Sequence, residues 1–224
     1  MSETFSTYSI PQIFIKGAPL ILIALGLSVG FKANVWNIGA EGQYIMGAIF
    51  GASFALSLYP LESIIIFPVM ILVGILGGSL WSMIPALLKV KFNVNEILVS
   101  LMLVYVAEQT LALASLGFLR NPEGSGFPGS RNLSQYSSAS NSELIMGTGI
   151  HLGVLLSLLM VVFFYILLFR HSLGFKIKLL GNSPRASGFS GDSPKKLVFL
   201  CLTLSGGLAG LAGIMEVAGP AGQI

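Results

Sequence analysis

The chain has 224 residues, 54% hydrophobic and only 9% charged, with a mean hydropathy of +0.86. A soluble domain carries about 25% charged residues, and a chain this poor in charge would expose large apolar patches to water, so the composition excludes a soluble domain and points to lipid as solvent. The net charge of +3 is too small to suggest nucleic-acid binding, and the lone Cys201 excludes an intrachain disulfide and reads as a small hydrophobe in an apolar run.

Six apolar stretches follow one another, each close to the roughly 20 residues a hydrocarbon core requires. They cover 10–31, which contains Lys16, then 39–58, 63–88, 95–118, 150–169 and 197–217. Each is predicted to be helical, because an unpaired backbone amide in hydrocarbon costs several kcal/mol. Long unbroken apolar runs do not fit the alternating strands of a membrane barrel. The fold class expected is therefore all-α, a polytopic transmembrane bundle forming one domain over 1–224.

Two polar segments interrupt the pattern. Residues 120–143 are rich in Gly, Ser, Pro and Asn, with Arg120 and Arg131 balanced by Glu123 and Glu143. Residues 170–196 are basic, with Arg170, Lys176, Lys178, Arg185, Lys195 and Lys196 against Asp192 alone. Positive charge is retained on the cytoplasmic side, which places 170–196 inside and 120–143 outside. Lys32, Lys89 and Lys91 then fall inside by parity, and Glu62 falls outside. This topology leaves Met1 outside without a basic flank, and the chain stops in a Gly/Pro-rich stretch just after a span. Both ends are expected to be truncated.

Several chemistries are missing from the sequence. No Gly-x-x-x-x-Gly-Lys-Ser/Thr loop is present, so the chain is not expected to bind ATP itself. No cysteine or histidine pair has metal-ligand spacing; His151 and His171 flank opposite ends of a span about 30 Å long. No metal site, no resident cofactor and no catalytic residue are expected.

Four segments carry information. Asn34-Val-Trp-Asn-Ile-Gly-Ala-Glu-Gly-Gln43 is a polar, glycine-rich stretch between two apolar runs. One reading is a capped helix start, with Asn37 as the cap and Glu41 in the first turn at the positive helix end. The other is a broken helix beside a transport path lined by Asn37, Glu41 and Gln43. Asn95 or Asn93 is expected to cap the fourth span, with Glu96 in its first turn. Glu108 and Glu216 lie within spans, where carboxylates face protein or water rather than lipid. Glu108 is a candidate for the path, although a hydrogen bond to a neighbouring helix is the plainer reading. In the sixth span, Gly206 and Gly210, and Ala209 and Gly213, form small-xxx-small pairs suited to close helix packing. Finally, Ser183-Pro184 suits an N-cap and first helical position, predicting a short helix over 184–190 within the basic segment.

Asn37-Ile-Gly-Ala-Glu-Gly-Gln43, Asn95-Glu96 with Leu101-Met-Leu103, Gly174-Phe with Gly181-Asn and Pro184-x-Ala186, and Ser205-Gly-Gly-Leu-Ala-Gly-Leu-Ala-Gly213 occur in this order. Together they resemble the permease subunits of nucleoside and simple-sugar ABC importers, the binding-protein-dependent permeases of the second type. The resemblance implies a second permease subunit, cytoplasmic ABC ATPases that hold the ATP and magnesium, and an extracellular lipoprotein or periplasmic protein that delivers substrate. It places the chain in the bacterial cytoplasmic membrane. It also implies that 170–196 is a coupling loop in which Gly181, Asn182, Pro184, Ala186 and Gly191 meet the ATPase. The sequence departs from the pattern at Val104, Lys178, Ser187 and Asp192. An ion-driven secondary carrier is the alternative, and would need intramembrane charges at matched positions of two repeats.

Overall fold

A computed structural model describes residues 9–123, 129–141, 143–144 and 148–224. Among them, eight α-helices and a short 3-10 turn at Leu133–Gln135 account for the regular structure, with two isolated β-bridges and no sheet. The helices are α1 (Ser9–Lys32), α2 (Ala40–Ser57), α3 (Ile66–Phe92), α4 (Glu96–Leu116), α5 (Leu152–Phe169), α6 (Ser172–Asn182), α7 (Pro184–Phe189) and α8 (Pro194–Ala218). The six expected spans correspond to α1–α5 and α8. The chain is an all-α polytopic membrane bundle.

Five of those helices are long and apolar enough to cross a bilayer on their own terms: α1, α3, α4, α5 and α8. α2 is not, because its first turn carries Glu41 and Gln43. Its position explains the difference. α2 packs against α3, α4 and α8, so most of its surface meets protein and not lipid. Its 18 residues still extend about 27 Å.

Small residues set the centre of the bundle. Nearly all of α8 from Cys201 onward is buried, and its expected glycine stripe is where three helices meet. A side chain on Gly210 would strike the backbone of Gly74 and Gly78, and one on Gly213 would strike the Tyr44 carbonyl and Ala48. One on Gly206 would meet Ser82 and the Gly78 carbonyl. Lipid offers no hydrophobic drive for helices to associate, so close backbone approach and dispersion hold them together.

The contacts also fix direction. Gly51 and Gly47 of α2 meet Met70 and Gly74 of α3, so these two run antiparallel. Gly39 and Gly42 meet Ser100 and Val104, so α2 and α4 run parallel. The connections between α1 and α2, α3 and α4, and α7 and α8 therefore share one end. A cavity there is lined by Asn34, Lys89, Lys91, Pro184 and Lys195 together. The basic loops that charge placement assigns to one side do meet in space. At this end Asn95 caps α4 as expected, accepting from the Ile97 amide at 3.0 Å. Lys89 and Lys91 occupy the last turn of α3, where cations suit the negative helix end.

The opposite end is closed by residues 129–141, which fold back over the helices. Tyr136 donates its hydroxyl to the Leu61 carbonyl, and the Ser63 amide donates to Ser138 Oγ at 3.0 Å. Leu133, Tyr136 and Ala139 pack on Ala48, Ala52 and Ile214. The chain after α8 joins this cover: the Ser130 amide donates to the Ile224 carbonyl at 2.9 Å, and the Ile224 amide donates to Ser130 Oγ at 3.0 Å. Asn141 links it to α5, since its Oδ1 accepts from the Leu152 amide while its Nδ2 lies 3.0 Å from His151 Nδ1. Burial holds the His151 imidazole below its ordinary pKa of 6.5.

Candidate functional site

Asn37 is not a helix cap. Gly39 occupies the N-cap of α2 and no side chain caps that end. The 34–39 connection folds back beside α1, with the Val35 amide donating to the Gly30 carbonyl at 2.9 Å. This carries Asn37 to Ser205, the twelfth residue of the 25 in α8, and the Asn37 Nδ2 donates to Ser205 Oγ at 2.9 Å. Asn37 and Gln43 also exchange both amide hydrogen bonds, at 2.7 and 2.9 Å. Asn37 is 2% exposed and Gln43 1%. Non-helical backbone at membrane depth persists only where protein or a cavity satisfies it, and here protein does. Asn37 and Gln43 thus form a closed polar joint between α1, α2 and α8.

Glu41 points the other way. It lines a cavity of about 450 Å³ between α1, α2 and α8, with Lys16, Leu20, Ile23, Tyr44 and Glu216. Tyr44 stands one turn from Glu41, an (i, i+3) relation that the sequence alone offers as a signal. The sequence marks Glu216 only as a carboxylate inside a span, and Ser205 only as the start of the glycine-rich motif, 168 residues from its partner. Glu108 is exposed on α4 and does not line this cavity. Of the four residues predicted for a path, the structure therefore brings Asn37 and Gln43 together in a sealed contact, puts Glu41 in an open groove, and leaves Glu108 apart from both.

Glu96 does more than suit a helix dipole. It is buried and pairs with Lys89 at 2.6 Å, and its other oxygen lies 3.5 Å from the Trp36 amide. One carboxylate ties the end of α3, the start of α4 and the 34–39 connection.

The basic segment holds two helices, where the sequence predicts only the second. His171 caps α6, accepting from the Leu173 amide at 3.1 Å. Ser183 caps α7, accepting from the Ala186 amide at 3.3 Å, with Pro184 in its first turn. α6 buries Gly174, Ile177 and Leu180. Gly181 lies so close to the Lys32 carbonyl that no side chain fits between them, which fixes the end of α6 against the end of α1. Asn182 is exposed and Ala186 half-buried. Gly191 is exposed with φ at +85°, a left-handed conformation that suits glycine. Phe189 projects with 93% of its surface exposed.

A family model described as "Branched-chain amino acid transport system / permease component" matches residues 9–224. The chain belongs to this permease family. It is 30% identical over 226 residues to the glucose ABC transporter permease protein TsgB13 of Haloferax volcanii, a match that covers 97% of this chain and 59% of that protein. The nucleoside ABC transporter permease protein NupB of Lactococcus lactis is 28% identical over 221 residues, covering 96% and 60%. The guanosine ABC transporter permease protein NupP of Bacillus subtilis is 29% identical over 202 residues, covering 88% and 56%. The chain spans less than two thirds of the length of these relatives. No solved structure matches it.

The permease's departures from the family pattern have local accounts. Val104 is buried where it meets Gly42, an apolar contact between α2 and α4. Asp192 accepts from Lys176 Nζ at 2.6 Å, locking the turn after α7 onto α6. Lys178 lines a cavity with Lys32, Phe169 and Asn182. Ser187 is fully buried, and nothing in the structure explains its unpaired hydroxyl.

Proposed function

We propose that this permease is the membrane-spanning subunit of an ATP-driven importer for nucleosides or simple sugars in a bacterial cytoplasmic membrane. ATP with its magnesium is held by a separate ABC ATPase. A second permease subunit completes the path, and an extracellular binding lipoprotein or periplasmic protein supplies substrate. The relatives' names support the substrate class.

The observation that carries the reading is the α6–α7 unit. It is a short, basic, well-capped element standing out from the end of the bundle where the positive loops gather. Its exposed Phe189 is a large apolar side chain without a partner in the chain, the kind of residue that anchors a protein interface. Besides packing on the end of α5, where Gly174 meets the Leu167 and Leu168 carbonyls, the unit is attached to α1 through Gly181 and to α8 through the turn that Asp192 locks. A movement imposed on α7 by an ATPase would pass to both helices as a rigid body, because packed elements shift as units. Alternating access then follows from rocking α1 and α8 against the rest.

Phe189→Asp in the full-length permease tests this, since the side chain is almost wholly in water and its loss leaves the bundle intact. Co-purification of the ATPase and ATP-dependent uptake should both fall about tenfold or more, the equivalent of one anchor residue, at unchanged permease abundance. Wild-type uptake with wild-type co-purification would remove α7 from the coupling role. Gly181→Val is a poorer test, because it disturbs α1 directly.

A further inference from the structure

Resting on that transport reading, we infer that the groove between α1, α2 and α8, lined by Lys16, Glu41, Tyr44 and Glu216, faces water and binds a neutral, hydroxyl-rich ring compound.

Depth is the first argument. Glu41 belongs to a helix whose start is pinned beside Ser205, near the middle of α8. Lys16 lies inside the apolar span of α1, and Glu216 lies in the last turn of α8. The groove thus runs from membrane depth to the end of α8, and the eight residues from Lys16 to Ile23 alone cover about 10 Å of it. Charged groups at that depth turn towards protein or water, because lipid cannot solvate them.

Satisfaction is the second. Among the described residues, none of the four polar head groups makes a hydrogen bond or ion pair within the chain. The neighbouring amides of Asn37 and Gln43 are paired with each other, so this face is set apart by what it leaves open. Four unpartnered heads from three helices converge on one space of about 450 Å³, within the range of small-molecule sites.

The third argument is the chemistry of the lining. Two carboxylates accept hydrogen bonds, the Lys16 ammonium donates, and the Tyr44 hydroxyl does both. One cation among two anions disfavours a strongly charged ligand of either sign. Leu20, Ile23 and the Tyr44 ring offer an apolar wall. A ring with hydroxyls on its edges and an apolar face matches both kinds of surface.

Thiol accessibility in intact cells carrying the full-length permease and its partners tests the inference. Cys201 is fully buried, so the native thiol is silent to a membrane-impermeant cationic methanethiosulfonate. Leu20→Cys should react about tenfold or more faster than Leu159→Cys, an exposed position on α5 taken as the lipid-facing control. Adenosine or ribose should slow the Leu20→Cys reaction by about half or more once it exceeds its Kd. That protection should vanish in the Glu41→Gln, Glu216→Gln background while the ATPase still co-purifies. Equal, slow labelling at both positions would show a lipid-facing groove, and fast labelling that neither compound slows would show water without a ligand. Either result overturns the inference. The ATPase partnership is read separately by co-purification, so its failure and that of the groove are told apart.

Discussion

Gly78→Ala and Gly207→Ala make the same chemical change at two places on the α3–α8 contact, and the structure assigns them opposite outcomes. A methyl on Gly78 would strike the Gly206 carbonyl oxygen first, and would lie 2.7 Å from Gly210 Cα and 2.8 Å from its nitrogen, all backbone atoms that cannot rotate away. Ordinary contact begins at 3.4 Å, so clearing Gly210 alone separates the two helices by about 0.7 Å (3.4 less 2.7), and clearing the Gly206 carbonyl needs more. A gap of 0.5–1 Å forfeits roughly a quarter to a half of each contact's dispersion energy, and each contact is worth about 0.1–0.2 kcal/mol. Over some tens of atom pairs this costs about 2–3 kcal/mol, against roughly 1 kcal/mol gained in helix propensity. A net loss of about 1–2 kcal/mol follows. At Gly207 the nearest atom is the Ser79 Oγ at 2.7 Å, a side chain that can turn at the loss of only a long 3.4 Å hydrogen bond to the Thr203 carbonyl, and the next is Ile75 Cγ2 at 3.4 Å. That variant should match or exceed the parent. Thermal unfolding of the detergent-solubilised proteins, followed by size-exclusion chromatography after heating, measures both. If Gly78→Ala is as stable as Gly207→Ala, close backbone packing does not hold α8 in place.

Three further outcomes follow from named contacts. Asn37→Ala leaves buried Gln43 and Ser205 without their partner, and should destabilise by about 2–3 kcal/mol, against about 1 kcal/mol for Ser205→Ala; equal midpoints would dissolve the proposed joint. Ser183→Ala removes the cap of a six-residue helix at about 1 kcal/mol, so amide exchange in α7 should quicken about fivefold with the global midpoint unmoved. His151 must be neutral to accept at Nδ1 from the Gly153 amide at 3.1 Å, and its folded pKa lies below its unfolded value. Stability is then complete above about pH 6.5 and declines as pH falls from there towards the lower folded value. A His151→Asn variant should show a flatter melting profile between about pH 6.5 and 5, and an unchanged slope would assign the acid sensitivity elsewhere.

Much of the architecture is legible in the amino acids because lipid imposes simple rules. Apolar runs of span length locate the six long helices within a few residues, and lysine placement predicts which connections share an end. Local chemistry also shows through: Asn95 and Ser183 cap where their neighbours suggest, and the Gly206–Gly213 stripe packs as its spacing implies. What escapes the sequence is pairing across long separations. Asn37 looks like a cap because capping is the commonest task for an asparagine ahead of a helix, and only its approach to Ser205 shows otherwise. α6 is hidden because Gly174 and Gly181 read as loop residues, whereas each admits a neighbouring carbonyl. Glu41 and Gln43 stand two apart in one motif, yet helical rotation sends one into the groove and the other into the joint. Tyr44 becomes a candidate only when α1 and α8 are seen to complete the same wall.

α8 is unbroken over 25 residues, about 37 Å of rod. Its first turn follows the locked turn after α7, and its last leads into the strip of backbone that Ser130 and Leu133 grip through Ile224 and Gly222. Tilting such a rod about its glycine-lined waist swings both tips in opposite senses. The cover on one face of the membrane is thus mechanically geared to the helix pair on the other, with no intervening hinge to absorb the stroke.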